Sequence, residues 1–187
     1  MGYNVQDITI AADEVVLLSP EGEEIGRAPK CSVHGPETPY HLAFSCHVVD
    51  DEGRVLITRR ALTKRTWPGV WTNSFCGHPR PGESVPDAVV RHARVELGIE
   101  IEALSLELPL FQYRAVDPSG TVEHELCPVY SARVVGELQP NPLEVMDTAW
   151  VHPSDLGTAI RAVPDVFSPW FVLQAGLLDL LSEARAA

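Results

Sequence analysis

The sequence predicts an α+β fold, with short, mostly antiparallel strands and a few helices packed on them. Three observations carry this. Apolar and β-branched runs are separated by four-residue turn signals, Ser19-Pro20-Glu21-Gly22, Asp50-Asp51-Glu52-Gly53 and Asp117-Pro118-Ser119-Gly120. One central segment has both a helix start and a helix stop, and a Ser-Pro pair opens another helix near the C-terminus. The 187 residues suit one domain with its own core, while 45% apolar and 21% charged residues exclude a disordered chain or a coiled coil. That domain is expected to span 1–187, with a flexible N-terminus over about 1–10 and a frayed C-terminus over about 183–187.

The elements follow in order. Glu14 to Leu18 and Glu23 to Ala28 flank the first turn and read as a short hairpin. His41 to Val49 and Arg54 to Arg60 flank the second turn and read as a stronger hairpin; Val55 and Ile57 alternate with Leu56 and Thr58, so the facing of the second arm stays ambiguous. A loop with Lys64, Arg65, Trp67, Pro68 and Gly69 follows, then an extended run from Val70 to Cys76. Ser84 to Gly98 is the clearest helix, with Ser84 as N-cap, Asp87 completing a loose capping box and Gly98 as the stop. Val85, Ala88, Val89, His92 and Glu96 fall on one stripe, with Arg91 and Arg94 opposite. Glu96 there is either a wet helix end or a buried functional group. Strands are expected over Glu107 to Ala115, Val122 to Val135 and Glu144 to Val151. Ser154 to Ala162 reads as a short helix. In the last helix the Ser168 hydroxyl caps, Pro169 takes the first position, and Trp170, Leu173, Leu177, Leu180 and Leu181 face inward.

Fourteen Lys and Arg against 26 Asp and Glu give a net charge of −12, which argues against a nucleic-acid or anionic-membrane binder. A small anionic ligand stays possible, because a few cations or a divalent metal reverse the field locally. There is no apolar run long enough to span a bilayer and no basic-then-apolar leader at Met1 to Ile10. Cys31, Cys46, Cys76 and Cys127 then read as free thiols, and a cytoplasmic enzyme acting as a monomer or homodimer is expected.

Three clusters can carry chemistry. In Cys76-Gly77-His78 an extended backbone puts thiol and imidazole on one face; the bland alternative is a structural cysteine beside a surface histidine. In Glu123-His124-Glu125 the same spacing pairs two carboxylates, which raise one another's pKa unless a cation lies between them; a solvated strand face is the alternative. His34 and His41 flank Pro36 and Pro39. Together His34, His41, His78, Glu123 and Glu125 offer three nitrogens and two carboxylates, a set suited to Mn²⁺, Zn²⁺ or iron rather than Ca²⁺.

A longer pattern runs Gly77, five residues, Glu83, seven residues, Arg91, then His92-Ala93-Arg94-Val95-Glu96-Leu97-Gly98-Ile99. It resembles the Nudix box, a loop–helix–loop that binds divalent metal and diphosphate. Here His92 and Val95 stand where the hydrolases carry glutamates, which argues against metal-activated water. The segments Thr58-Arg59-Arg60-Ala61, Trp67 to Pro79 (WPGVWTNSFCGHP), Tyr113-Arg114-Ala115, Glu123 to Pro128 (EHELCP) and Phe167-Ser168-Pro169-Trp170 resemble type 1 isopentenyl-diphosphate isomerase from about Lys30 to Gln174. That resemblance implies a Nudix-like mixed and antiparallel sheet core flanked by helices. It implies isomerisation of isopentenyl diphosphate to dimethylallyl diphosphate by a 1,3 proton shift through a tertiary carbocation, in isoprenoid biosynthesis.

The resemblance also implies roles. Cys76 and Glu125 become the acid/base pair on opposite faces of the substrate, Tyr113 hydrogen-bonds near the glutamate, and Trp170 turns an aromatic face to the alkene. His34, His41, His78, Glu123 and Glu125 become the site of one Mn²⁺, Zn²⁺ or Mg²⁺ ion. Lys30, Arg60 and Lys64 become diphosphate contacts, and Glu96 a ligand of the Mg²⁺ that arrives with the substrate. At His92 the chain departs from bacterial relatives, which carry arginine; its diphosphate contact is left open, with Arg91 or Arg94 as substitutes. A Nudix hydrolase and a catalytically inactive binding module stand as alternatives.

Overall fold

The computed structural model of the protein describes residues 13–178. The expected loose ends at about 1–10 and 183–187, and the expected inward faces of Leu180 and Leu181, lie outside these residues.

Strands β1 (Glu14–Leu18) and β2 (Glu24–Pro29) form the first hairpin, and a single helical turn α1 (Lys30–Val33) follows. The long strand expected from His41 to Val49 is split at Ala43 into β3 (His41–Leu42) and β4 (Phe44–Val49), which lie in different sheets. Its partner β5 (Val55–Arg60) meets β4 only at Val49 and Val55. The hairpin opens beyond that pair because the next segment enters it: β6 (Trp71–Thr72) pairs with β5, and β7 (Phe75–Gly77) pairs with β4. The ladder bonds that two arms would have made with each other are made with this insert instead.

Helix α2 (Val85–His92) starts where expected. Ser84 Oγ accepts the Asp87 N–H at 3.2 Å and donates to the Asp87 carboxylate at 2.6 Å, a cap typically worth about 1 kcal/mol. The helix then widens into a π-type turn, Ala93–Leu97, and ends at Gly98 with φ of 65°. A Cβ at Gly98 would lie 2.7 Å from Gln139, so this stop is steric as well as conformational. The stripe of Ala88, Val89, His92 and Glu96 is buried.

The strand expected over Glu107 to Ala115 is two strands, β8 (Glu100–Leu108) and β9 (Gln112–Val116), broken at Pro109. Most of β8 escaped the sequence pattern because a register shift at Ala103, at φ of 51°, breaks the two-residue alternation, so that Ile101 and Leu104, three apart, pack on the same core. The strand expected over Val122 to Val135 likewise breaks at Cys127-Pro128 into β10 (Val122–Leu126) and β11 (Val129–Val135), one in each sheet. Strand β12 (Val145–Val151) and helices α3 (Pro153–Ala162) and α4 (Pro169–Ala175) follow, with a 3₁₀ turn at Pro164–Val166. Ser168 does not cap α4 through its hydroxyl, which lies 2.7 Å from Thr72 Oγ1 instead. Leu173 and Leu177 are exposed, and Trp170, Phe171 and Gln174 take the inward positions.

One sheet has the order β2-β1-β3-β10-β9; the other runs β12-β5-β4-β11-β8, with β6 and β7 attached. Most pairs are antiparallel, but β3–β10 and β4–β11 are parallel, so the α+β sheets are mixed. The ambiguous facing of β5 resolves as burial on both sides. Leu56 packs with Phe44, Cys46, Val48 and Tyr130 against Val89 and Leu97. Val55 and Ile57 pack on the other face with Leu156, Ile160 and Phe171. The second sheet is therefore sandwiched between α2 on one side and α3 and α4 on the other.

Candidate active site

A cavity of about 660 Å³ is lined from both sheets and from α1, α2, the π turn and α4. Its chemistry is set by strand register. In β10 the alternation places Glu123 and Glu125 inward, while His124 points out beside Tyr40 at a ring separation of 4.9 Å. Glu125 is the register partner of His41 in β3 and of Tyr113 in β9, so one row delivers three functional side chains. From the other sheet, β7 brings Cys76 to the same cavity, with His78 just beyond it.

His34, His41, His78 and Glu125 each present one ligand atom, and these atoms lie within 4.8 Å of one another. His41 Nε2 is 3.2 Å from His78 Nε2 and 3.5 Å from Glu125 Oε1, and His78 Nε2 is 3.2 Å from the same oxygen. The Pro39 carbonyl accepts from His41 Nδ1 at 2.9 Å, which aims the Nε2 lone pair at the cluster. Glu123 stands one step out: Thr66 Oγ1 donates to its Oε1 at 2.7 Å, and its Oε2 lies 2.8 Å from His34 Nε2. Despite that approach, His34 Nε2 and Glu123 Oε2 are misaligned and have no hydrogen-bond partner among the described residues. Buried polar atoms nearly always have one. Converging imidazole and carboxylate lone pairs with too few protons between them are the donor set of a divalent metal, so these residues fit such an ion.

Electrostatics separate Cys76 from Glu125. Burial pushes the Cys76 thiol up to about 11, against the opposing pull of hydrogen bonds with Ser45 and Asn73. Burial alone would raise Glu125, but hydrogen bonds and charge from His41 and His78 hold it well below the ordinary carboxylate range. Burial, with the nearby Glu125 charge, keeps Tyr113 a phenol, and its O–H donates to Glu125 Oε2 at 2.9 Å. Trp170 is fixed by its Nε1–H on Asn73 Oδ1 at 3.1 Å and by an edge contact from Trp67 at 5.3 Å. The Arg60 guanidinium lies 5.3 Å from the centre of the Trp170 ring.

The cavity also gathers cations, in a chain of net charge −12. Lys30, Arg60, Lys64, Arg65, Arg80 and Arg91 line it. Several are held by partners. Lys30 and Arg80 flank Asp13 at 3.7 and 3.2 Å, Lys64 pairs with Glu144, and Arg60 donates to the carbonyls of Thr66 and Trp67. Arg91 forks onto Glu83 at 2.7 and 2.6 Å. Arg94 is exposed, bonded to Glu100 and absent from the cavity wall, so of the two substitutes for His92 only Arg91 is in place. His92 is 6% exposed, with Nδ1 2.6 Å from Glu96 Oε1 and, among the described residues, no partner at Nε2. Glu96 is buried beside it and faces the cavity; despite burial, the His92 hydrogen bond lowers its pKa. The wet helix end is thereby ruled out.

Four residues in or behind the site had little or no sequence signal of their own. Ser45 is an unremarked serine in an apolar strand, Thr66 and Glu144 are ordinary loop polar residues, and Asn73 was legible only as part of a motif. Asn73 is fully buried and its Oδ1 accepts from Thr72, Cys76 and Trp170.

Comparison with known proteins agrees with this geometry. A NUDIX domain model matches residues 39–171. A protein of Agromyces mediolanus named Isopentenyl-diphosphate Delta-isomerase is 61% identical over 171 residues, covering 91% of this chain and 83% of that protein. Its namesake in Paenarthrobacter aurescens is 56% identical over 182 residues, covering 94% and 99%. Among solved structures, a Deinococcus radiodurans protein superposes with a TM-score of 0.61 at 25% identity, covering 80% of this chain and 89% of its own. A MutT NUDIX hydrolase of Burkholderia pseudomallei gives 0.50 at 28%, covering 61% and 84%.

Proposed function

This chain belongs to the isopentenyl-diphosphate Delta-isomerase family, built on a NUDIX domain, and interconverts isopentenyl and dimethylallyl diphosphate; we propose that Cys76 and Glu125 carry its proton shift. The observation behind this assignment is that the two groups face one cavity from different sheets. An alkene between them meets a thiol on one side and a carboxylate on the other. One group gives a proton to the terminal carbon and leaves a tertiary cation; the other removes a proton from the carbon nearer the diphosphate. Two opposed groups let one give a proton on one face of the alkene while the other takes a proton from the opposite face, so neither has to move between the two carbons.

Tyr113 holds the Glu125 carboxyl by one oxygen, which leaves the other for the histidines. Trp170 offers its ring to the developing cation, an attraction of roughly 0.5–2 kcal/mol. His34, His41, His78 and Glu125, with Glu123 beside them, would hold one Mn²⁺, Zn²⁺ or Mg²⁺ ion. Such an ion, when bound, fixes the carboxylate and lowers its proton affinity. Lys30, Arg60, Lys64 and Arg91 receive the diphosphate, with His92 on the same cavity wall, and Glu96 would hold the Mg²⁺ that accompanies it. For Lys64 this means exchanging Glu144 for a phosphate oxygen.

Incubation with isopentenyl diphosphate and Mg²⁺, followed by proton NMR, tests the assignment. Dimethylallyl diphosphate from the wild type and none from Cys76→Ala is the expected result. Release of phosphate or diphosphate, or equal product from Cys76→Ala, would overturn it.

A further inference from the structure

We propose that Ser45 is a positioning residue for the Cys76 thiol, itself oriented by a buried hydrogen-bond chain through Gln174 to His47; this rests on the acid/base role assigned above to Cys76. Ser45 and Cys76 are direct partners in the antiparallel β4–β7 pair, so their side chains leave the sheet together. Ser45 Oγ lies 3.3 Å from Cys76 Sγ and 3.4 Å from Cys127 Sγ, and it accepts the Gln174 Nε2–H at 2.9 Å. Gln174 Oε1 in turn meets His47 Nε2 at 2.9 Å. Ser45, His47 and Gln174 are all fully buried, so no solvent competes for these bonds.

Proton directions follow from the ends of the chain. Among the described residues His47 Nδ1 has no partner, and burial moves the His47 pKa down to about 4, which keeps the ring neutral. A buried lone pair without a partner costs less than a buried N–H without one, so the proton sits on Nε2 and points at Gln174. Gln174 Oε1 therefore faces His47 and its amide N–H faces Ser45. With a lone pair of Ser45 occupied, its own hydrogen is free for sulfur.

At the other end, Asn73 is locked against flipping, because its Nδ2 donates to the carbonyls of Cys46 at 3.1 Å and Phe75 at 2.8 Å. Its Oδ1 then accepts the Cys76 S–H at 3.1 Å. The thiol hydrogen being committed to Asn73, the Ser45 hydroxyl is the donor on the Ser45–Cys76 contact, while Cys127 donates to Ser45. One donor and one acceptor thus fix the direction of the Cys76 S–H bond. A proton-transfer group must be held within a fraction of an ångström to act on carbon, and none of Ser45, Gln174 and His47 touches the cavity.

The test compares kcat and KM for isopentenyl diphosphate in wild type, Cys76→Ala, Ser45→Ala and Gln174→Met. It adds the infrared S–H stretch of Cys76, taken as a difference against Cys76→Ala. Ser45→Ala should lower kcat about tenfold to hundredfold with KM within twofold, and shift the S–H band. Gln174→Met keeps the volume but frees the serine to turn, so kcat and band should move the same way by less; it serves alone if Ser45→Ala does not fold. A variant that merely lost stability would leave the band in place. Wild-type kcat and an unmoved band in a folded Ser45→Ala or Gln174→Met, with Cys76→Ala inactive, would overturn the inference alone. An active Cys76→Ala would overturn the acid/base reading and this inference together.

Discussion

Gly77 and His92 touch in a way that only hydrogen at position 77 permits: a Cβ there would lie 2.4 Å from Cε1 of the His92 ring. The glycine of the box and the histidine eight residues into the helix region are one packing unit. The ring that lies on Gly77 is also the ring that bonds Glu96 at 2.6 Å. Gly77→Ala should therefore destabilise the fold by about 1–3 kcal/mol through overpacking. His92→Ala removes the obstruction, so the double variant should recover most of that loss relative to His92→Ala. Urea unfolding of the four proteins measures the coupling, and additive losses would show that the contact is relieved elsewhere.

Cys76→Ala and Glu125→Gln should each reduce turnover by ~10²–10⁴-fold or more, while far-ultraviolet circular dichroism stays that of wild type. Glu125→Gln preserves shape and the Tyr113 contact but removes the group that exchanges the proton. A folded variant with more than a tenth of wild-type rate would remove that residue from the pair.

Purified protein should carry about one divalent ion per chain that survives dialysis, measured by elemental analysis. His41→Ala, which deletes the ligand best fixed by its Pro39 hydrogen bond, should weaken ion binding at least tenfold and lower the occupancy left after dialysis. Wild-type occupancy in this variant would place the ion elsewhere.

Glu83 is held down to about 2 by the Arg91 guanidinium, with partial burial opposing and the Arg80 N–H assisting. Its pKa is lower folded than unfolded, so the stabilisation is present above the ordinary glutamate value of 4.5 and is lost as pH falls from there towards about 2. Both side chains are about a fifth exposed, and with solvent screening the pair contributes on the order of 1 kcal/mol. Glu83→Gln should thus be less stable than wild type by that amount at pH 7, with the gap closing through acid unfolding curves below pH 4.5. A gap that widened in acid would contradict the sign.

Much of this protein was determined by sequence alone. Local chemistry sufficed for the first hairpin, the Ser84 cap and Gly98 stop, and α3, because a turn, a cap or a hydrophobic stripe depends on neighbours a few residues away. The i, i+2 spacing also placed Glu123 and Glu125 on one face without any knowledge of what lay opposite. Tertiary structure decided what depends on distant strands. It split His41–Val49 and Val122–Val135 between two sheets, since only the pairing β3–β10 and β4–β11 says where a continuous strand must change partner. It opened the second hairpin to admit residues 71–77, which is how Cys76 comes to face Ser45. It also turned Ser168 from a helix cap into a partner of Thr72, and Glu96 from a helix end into a buried carboxylate. A side chain's neighbours across a sheet are set by register, and register is a property of the folded whole.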